Sequence, residues 1–210
     1  MFLCTAFSAN ATRQFSNRLI IDDFEYNVDF FPLKSFFDEN PKKAESFNHS
    51  STALRRGYIA TFEFINNQLY VVDLHVLQYN EYKIDCYPFE EISVFHKVFP
   101  NSKKVKIDWP TAVLVIPLGQ PTKNDYEKGI EEYANYLILE ICDGVLETKN
   151  NYKLVDFKKF MKDQYELFQK TTEYSDILEY YIGYYFTKET FDEYFETRIF
   201  DEFINEIQYN

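Results

Sequence analysis

Tyr58-Ile59-Ala60-Thr61-Phe62-Glu63-Phe64-Ile65, then Asn66-Asn67, then Gln68-Leu69-Tyr70-Val71-Val72-Asp73-Leu74-His75-Val76-Leu77 is the stretch on which the reading of this chain turns. Two runs rich in β-branched and aromatic residues flank two asparagines, which tolerate the left-handed backbone that a two-residue hairpin turn requires. The stretch predicts a β-hairpin. Side chains alternate along a strand, so Tyr58, Ala60, Phe62 and Phe64 share one face, and Ile59, Thr61, Glu63 and Ile65 the other. Apolar residues on both faces place the hairpin in the interior of a sheet.

Upstream, residues 18–31 mix β-branched and aromatic residues with acids, as an early strand and its connection do. Pro32 suits a first helical turn, Leu33, Phe36 and Phe37 share one face, and Asn40-Pro41 stops the run, which predicts a short helix. Residues 45–53 are polar and read as a loop. Downstream, strands are expected at residues 82–87, 104–108 and 112–117, the last ending at Leu118-Gly119. Ile92, Val94, Phe95 and Val98 read as a short helical or irregular packing segment, and residues 121–134 as polar and turn-rich. Tyr136 to Cys142, Asp143-Gly144 and Val145-Leu146-Glu147 then read as a second hairpin, Asp-Gly supplying the positive backbone angles.

After Asn150 the apolar period changes from two to about 3.6. Phe157, Phe160, Met161, Tyr165 and Phe168 define an amphipathic helix. Ser175 is expected to cap a second, running through Tyr185, and Thr187 a third that carries Phe191, Tyr194, Phe195, Phe203 and Ile204. The fold class is α+β: a mostly antiparallel, β-rich body over about residues 18–148, followed by C-terminal helices over about 153–207. A chain of 210 residues is long enough for one sizeable core, so a single domain, 1–210, is expected, with a body at 1–150 and an acidic aromatic helical part at 151–210.

A content of 46% hydrophobic and 20% aromatic residues, with five glycines and seven prolines, excludes collagenous, low-complexity and broadly disordered classes. Cys4, Cys86 and Cys142 form no CxxC pair and no zinc-ligand spacing, and their odd number points to a reducing compartment. The N-terminus has no basic lead and soon meets Asn10, Arg13 and Gln14, unlike a signal peptide, and no apolar run approaches the roughly 18 residues of a membrane span. A cytoplasmic protein without membrane contact is expected.

Net charge is −12, so a phosphate backbone is repelled and direct nucleic-acid binding is not expected. The basic clusters Lys42-Lys43, Arg55-Arg56, Lys103-Lys104-Lys106 and Lys158-Lys159 are short and read as solvated. The negative charge is uneven: in residues 171–210 ten acids face two bases, a net of −8, and twelve aromatic residues accompany them. One reading is a set of amphipathic helices whose rings pack on the sheet and whose acids face water. The other is an interface for a protein with a basic surface, carried by Glu189, Asp192, Glu193 and Glu196 with Tyr184 and Phe195. The sequence leaves both open.

Catalytic signals are sparse. The chain has no HExxH, GxSxG, P-loop or GxGxxG, and its histidines are His49, His75 and His96. His75 follows Asp73 at strand spacing, which puts a base and its orienting carboxylate, or simply two solvated polar residues, on one sheet face. Arg55-Arg56-Gly57 ahead of a strand can fork onto an anion or neutralise nearby acids. Trp109, the sole tryptophan, reads as a core anchor. Arg55, Arg56, Asp73, His75 and Trp109 form the alternative candidate pocket, and no catalytic residue, cofactor or metal is assigned.

Pro32-Leu33, Arg56-Gly57-Tyr58-Ile59-Ala60-Thr61-Phe62-Glu63, Leu69-Tyr70, Asp73, Phe99-Pro100, Trp109, Ile116-Pro117 with Gly119, and Gly144-Val145 occur in that order. In this pattern the chain resembles a family of uncharacterised bacterial proteins with an RGYIATFE and LYxxD hairpin and downstream FP, W and IPxG elements. The resemblance spans roughly residues 30–147, implies a shared β-rich body, and carries no active site. The chain departs from the pattern at Arg55, where members often have Trp, and near Ala112, where they have Gly. The functional expectation is a non-enzymatic, protein-binding inhibitor of the immunity or antitoxin kind. The alternative is a bacterial defence component acting as an enzyme or small-ligand sensor through a pocket in the body.

Overall fold

The computed structural model describes residues 14–47, 52–81, 89–125, 130–182 and 186–196. Among them, nine strands form a mostly antiparallel mixed sheet and five helices accompany it, three of them C-terminal, which makes the fold α+β. By its internal contacts the chain divides into two units, residues 1–63 with 70–105 and residues 64–69 with 106–210.

The first unit begins with a hairpin where one strand was expected. β1 (Asn17–Ile21) and β2 (Phe24–Val28) pair antiparallel across Asp22-Asp23, whose φ angles are 49° and 67°. Aspartate reaches this left-handed region more readily than most residues because its short side chain bonds local backbone. α1 (Leu33–Glu39) starts after Pro32, with φ already at the helical −65°, and stops at Asn40, whose side chain donates back to the Phe36 carbonyl at 2.9 Å. Two 3₁₀ turns, Pro41–Ser46 and Thr52–Leu54, follow.

β3 (Ile59–Ile65) pairs parallel with β1 and lies between it and β4 (Gln68–Tyr79), so it is an interior strand as its two-sided apolar pattern requires. Ile59, Ala60, Thr61 and Phe62 are all buried. Asn66 and Asn67 take φ of 51° and 63°, the conformation the turn demands. The expected strand at 82–87 lies outside the described residues. Residues assigned to a packing segment divide into β5 (Phe89–Ser93), antiparallel to β4, and the short α2 (Phe95–Val98).

β6 (Val105–Lys106) also pairs with β4. In the second unit β7 (Ala112–Asp125), β8 (Ile130–Cys142) and β9 (Val145–Lys153) form an antiparallel meander. β7 continues past the expected end at Gly119. Gly119 takes φ 85°, the register shifts between Leu118 and Pro121, and the resulting bulge seats a proline that has no N–H to give the ladder. Pro121, Thr122 and Lys123 are all exposed, so this part of the strand carries polar side chains without alternation.

The Asp143-Gly144 turn has φ of 46° and 72°. It bonds to the turn between β3 and β4: Leu69 N donates to the Gly144 carbonyl and Leu146 N to that of Asn67, each at 2.8 Å. Gln68 Nε2 adds bonds to the carbonyls of Ile107 at 2.9 Å and Gly144 at 3.0 Å. A Cβ at position 144 would lie 1.9 Å from the Ile107 carbonyl oxygen, so only glycine fits.

α3 (Leu154–Phe168) follows β9 directly. α4 (Thr172–Tyr181) is capped by Thr171, not by the expected Ser175. Thr171 has the extended backbone of a cap and accepts from Tyr174 N at 3.1 Å, whereas Ser175 is already inside the first turn. α5 (Lys188–Phe195) is capped by Thr187 as expected, with Thr190 bonding back reciprocally. The continuation expected through Ile204 falls outside the described residues. Met161, Tyr165, Phe168, Tyr174, Phe191 and Phe195 pack with Val113 and Ile138 into the core of this unit.

Candidate functional site

Glu189, Asp192, Glu193 and Glu196 stand at i, i+3, i+4 and i+7, so α5 aligns them in one stripe. The opposite side of the helix carries Phe191 and Phe195. Phe195 is only 1% exposed, its ring 4.2 Å from that of Phe191 and 5.7 Å from that of Tyr181, so it is a core residue and not a surface anchor. Tyr184 lies outside the described residues. The rings these helices do expose are Tyr180 at 70% and Tyr194 at 37%.

The four carboxylates of the stripe are not equivalent. Asp192 Oδ1 accepts the hydroxyls of Tyr165 at 2.6 Å and Tyr174 at 2.7 Å, which ties α5 to both α3 and α4. Burial, and then the Asp192 carboxylate on which they donate, raise the pKa of both tyrosines. Asp192 therefore organises the helical core. Glu189 and Glu193 are exposed and Glu196 is half-buried, while α4 adds exposed Glu173, Asp176 and Glu179. Like charges at i, i+4, as at Glu189 and Glu193, cost an isolated helix about 0.2–0.5 kcal/mol.

Of the four residues of the alternative site that belong to the first unit, Arg55 and Arg56 line a common pocket and Asp73 and His75 do not. Arg55 and Arg56 line a pocket of about 790 Å³ in the first unit, together with Phe31, Phe37, Phe47 and Tyr58. Arg56 Nη2 donates to the Phe15 carbonyl and, at 3.2 Å, to Asn17 Oδ1. Its guanidinium lies 4.7 Å from the Phe31 ring centre and 5.7 Å from that of Tyr58. Asn17 is 0% exposed and fully engaged, accepting from Ala60 N at 2.9 Å and donating to the Phe30 carbonyl at 2.7 Å. Burial lowers the Arg56 pKa against the opposing influence of Tyr58 and Asp29, and pushes Tyr58 up to about 12.

Asp73 and His75 share a face of β4, as strand alternation predicts, with His75 Nε2 3.3 Å from Asp73 Oδ2. Asp73 Oδ1 also accepts from Ser93 Oγ and from Leu74 N, each at 2.7 Å. The other ring nitrogen, Nδ1, is buried without a hydrogen-bond partner. One nitrogen is thus occupied and the other enclosed, so neither is presented to a substrate, and neither residue lines the Arg56 pocket. Trp109 belongs to the second unit and is 39% exposed, so it is not the core anchor expected. The adjacent Pro110 is buried instead, its carbonyl accepting from Gly144 N at 2.8 Å.

Cys142 is a free, partly buried thiol, while Cys4, Cys86 and His49 lie outside the described residues. Among the described residues no three of His, Cys, Asp and Glu gather as a metal site, and no helix is long and apolar enough to cross a membrane. No protein-family model matches the chain, and no curated protein or solved structure matches it.

Proposed function

We propose that this chain is a non-enzymatic binding protein whose acidic helical end captures a protein with a basic surface, as an immunity protein or antitoxin covers the basic cleft of its target. The observation that carries the reading is the stripe of α5: exposed Glu189 and Glu193, followed by half-buried Glu196 at the C-cap, lie along one side of a helix whose other side is locked into the core. Rigid presentation limits the entropy lost on docking. The −8 carried by residues 171–210 steers a basic partner toward this end and accelerates the encounter. Tyr180 and Tyr194, exposed on α4 and α5, supply the aromatic anchors.

We propose a cytoplasmic location beside the target, and the overall charge of −12 opposes direct contact with nucleic acid. The test is association of the purified chain with the products of adjacent genes over a salt series. Affinity that falls steeply between low and physiological ionic strength supports the reading; association indifferent to salt refutes its electrostatic basis.

A further inference from the structure

A charge removed from water costs free energy unless a partner offsets it. Arg56 is half-buried in this way, offset only in part by the rings of Phe31 and Tyr58 and by the longer-range influence of Asp29. Both of its Nη2 bonds go to neutral oxygens, its Nε is buried with no partner, and among the described residues no carboxylate lies within ion-pair distance. Asn17 holds the guanidinium in place without neutralising it, so the fork is oriented and still cationic.

The surroundings fit a ligand. The pocket of about 790 Å³ falls within the roughly 300–1,000 Å³ of small-molecule sites. One wall is a cluster of rings in mutual contact: Phe37 to Phe47 at 4.8 Å, Phe37 to Tyr58 at 5.1 Å and Phe47 to Tyr58 at 5.0 Å. Among the described residues the charged ones lining it are Lys34, Arg55, Arg56 and Asp38; Lys34 pairs with Asp38 at 2.6 Å, which leaves two arginines in a chain whose net charge is −12. The pocket reverses the sign of the protein that holds it.

We propose that this pocket binds a small amphipathic anion, its aromatic or otherwise apolar body against Phe37, Phe47 and Tyr58 and its single acidic head group, carboxylate, phosphate or sulfonate, on Arg56. The head group supplies a negative charge at the contact distance where Arg56 has none among the described residues, and the rings bury the body. Tyr58 stays a neutral phenol at physiological pH and does not repel the anion. This site is independent of the acidic helical end.

Two fluorescent probes test it on the full chain: 8-anilinonaphthalene-1-sulfonate and N-phenyl-1-naphthylamine, which differ by the sulfonate. The anionic probe is expected to bind at one site, more tightly than the neutral one. Arg56→Met is expected to weaken the anionic probe by about tenfold or more and to leave the neutral probe within about twofold. Ala44→Trp fills the pocket from the 3₁₀ turn and is expected to weaken both probes. Near-ultraviolet circular dichroism and the urea midpoint confirm that each variant is folded. If Arg56→Met does not fold, the surface pair Lys34→Glu and Arg55→Glu replaces it, with the same selective loss expected. Equal binding of the two probes to wild type, no binding of either, or binding indifferent to Ala44→Trp overturns the proposal.

Discussion

Replacing Asp192 by alanine removes the acceptor that joins three helices. Its Oδ1 receives the Tyr165 hydroxyl at 2.6 Å and the Tyr174 hydroxyl at 2.7 Å, and both tyrosines are buried among Phe168 and Phe191. A hydrogen bond to a charged group contributes about 1.5–3 kcal/mol net, and a buried hydroxyl left without a partner costs about 1–3 kcal/mol. The two bonds share one oxygen and do not add fully, so Asp192→Ala is expected to destabilise by about 3–5 kcal/mol. Asp192→Asn keeps a carbonyl oxygen that can accept from both hydroxyls and is expected to cost about 1–2 kcal/mol. In a Tyr165→Phe/Tyr174→Phe background, which removes the donors, Asp192→Ala is expected to cost far less than in the wild type. Urea unfolding followed by far-ultraviolet circular dichroism measures all of these. A loss below about 0.5 kcal/mol for Asp192→Ala, or the same loss in the double-phenylalanine background, refutes the role given to this carboxylate.

Gly144→Ala drives a Cβ to 1.9 Å from the Ile107 carbonyl oxygen at a φ of 72°, and is expected to cost about 3 kcal/mol or more, seen as a lowered thermal midpoint, whereas Asn67→Gly, at a φ of 63° that glycine accepts, is expected to be nearly neutral. Asn17→Ala removes the acceptor for Ala60 N and the donor to the Phe30 carbonyl, and a loss of about 2–4 kcal/mol in urea is expected. Tyr58, at about 12, and Tyr165 and Tyr174, also raised, have folded pKa values above the roughly 10 of an unfolded tyrosine. The stability this difference contributes is intact below pH 10 and is lost as pH rises through the folded values, by up to about 1.4 kcal/mol per pH unit for each tyrosine still protonated. A urea midpoint that stays flat between about pH 10 and pH 12 contradicts this.

Local chemistry was legible in the chain where one short segment decides the outcome. Asn66-Asn67 and Asp143-Gly144 announce their turns because only a few residue types take positive φ at low cost. Asp22-Asp23 forms the same kind of turn with a weaker signal, and a hairpin was missed. Polar residues after Gly119 resembled a loop because this part of β7 is exposed, and a strand that buries neither face loses its alternation. Thr171 and Ser175 are both competent caps, and the choice depends on where α3 ends.

The sites were legible only in part, because their decisive contacts are distant in sequence. The i, i+4 spacing of Phe191 and Phe195 already separates the core side of α5 from its acidic side. That Asp192 belongs to the core depends on Tyr165 and Tyr174, 27 and 18 residues away. Arg56 was singled out from its own segment, but the Asn17 that holds it is 39 residues upstream, and the ring wall draws on Phe37 and Phe47. For Trp109 residue type alone points to the core, and type does not determine exposure.

Charge reversal on both sides of the proposed interface probes the acidic stripe of α5. The dissociation constant of the complex with the adjacent-gene partner is measured for wild type and for Glu189→Lys/Glu193→Lys, with Asp192 left intact so that the helical core is undisturbed. The double reversal is expected to weaken binding by about a hundredfold or more, and reversing the facing basic residues of the partner is expected to restore much of it. An unchanged dissociation constant for a folded Glu189→Lys/Glu193→Lys variant contradicts the claim that this stripe is where the protein meets its partner.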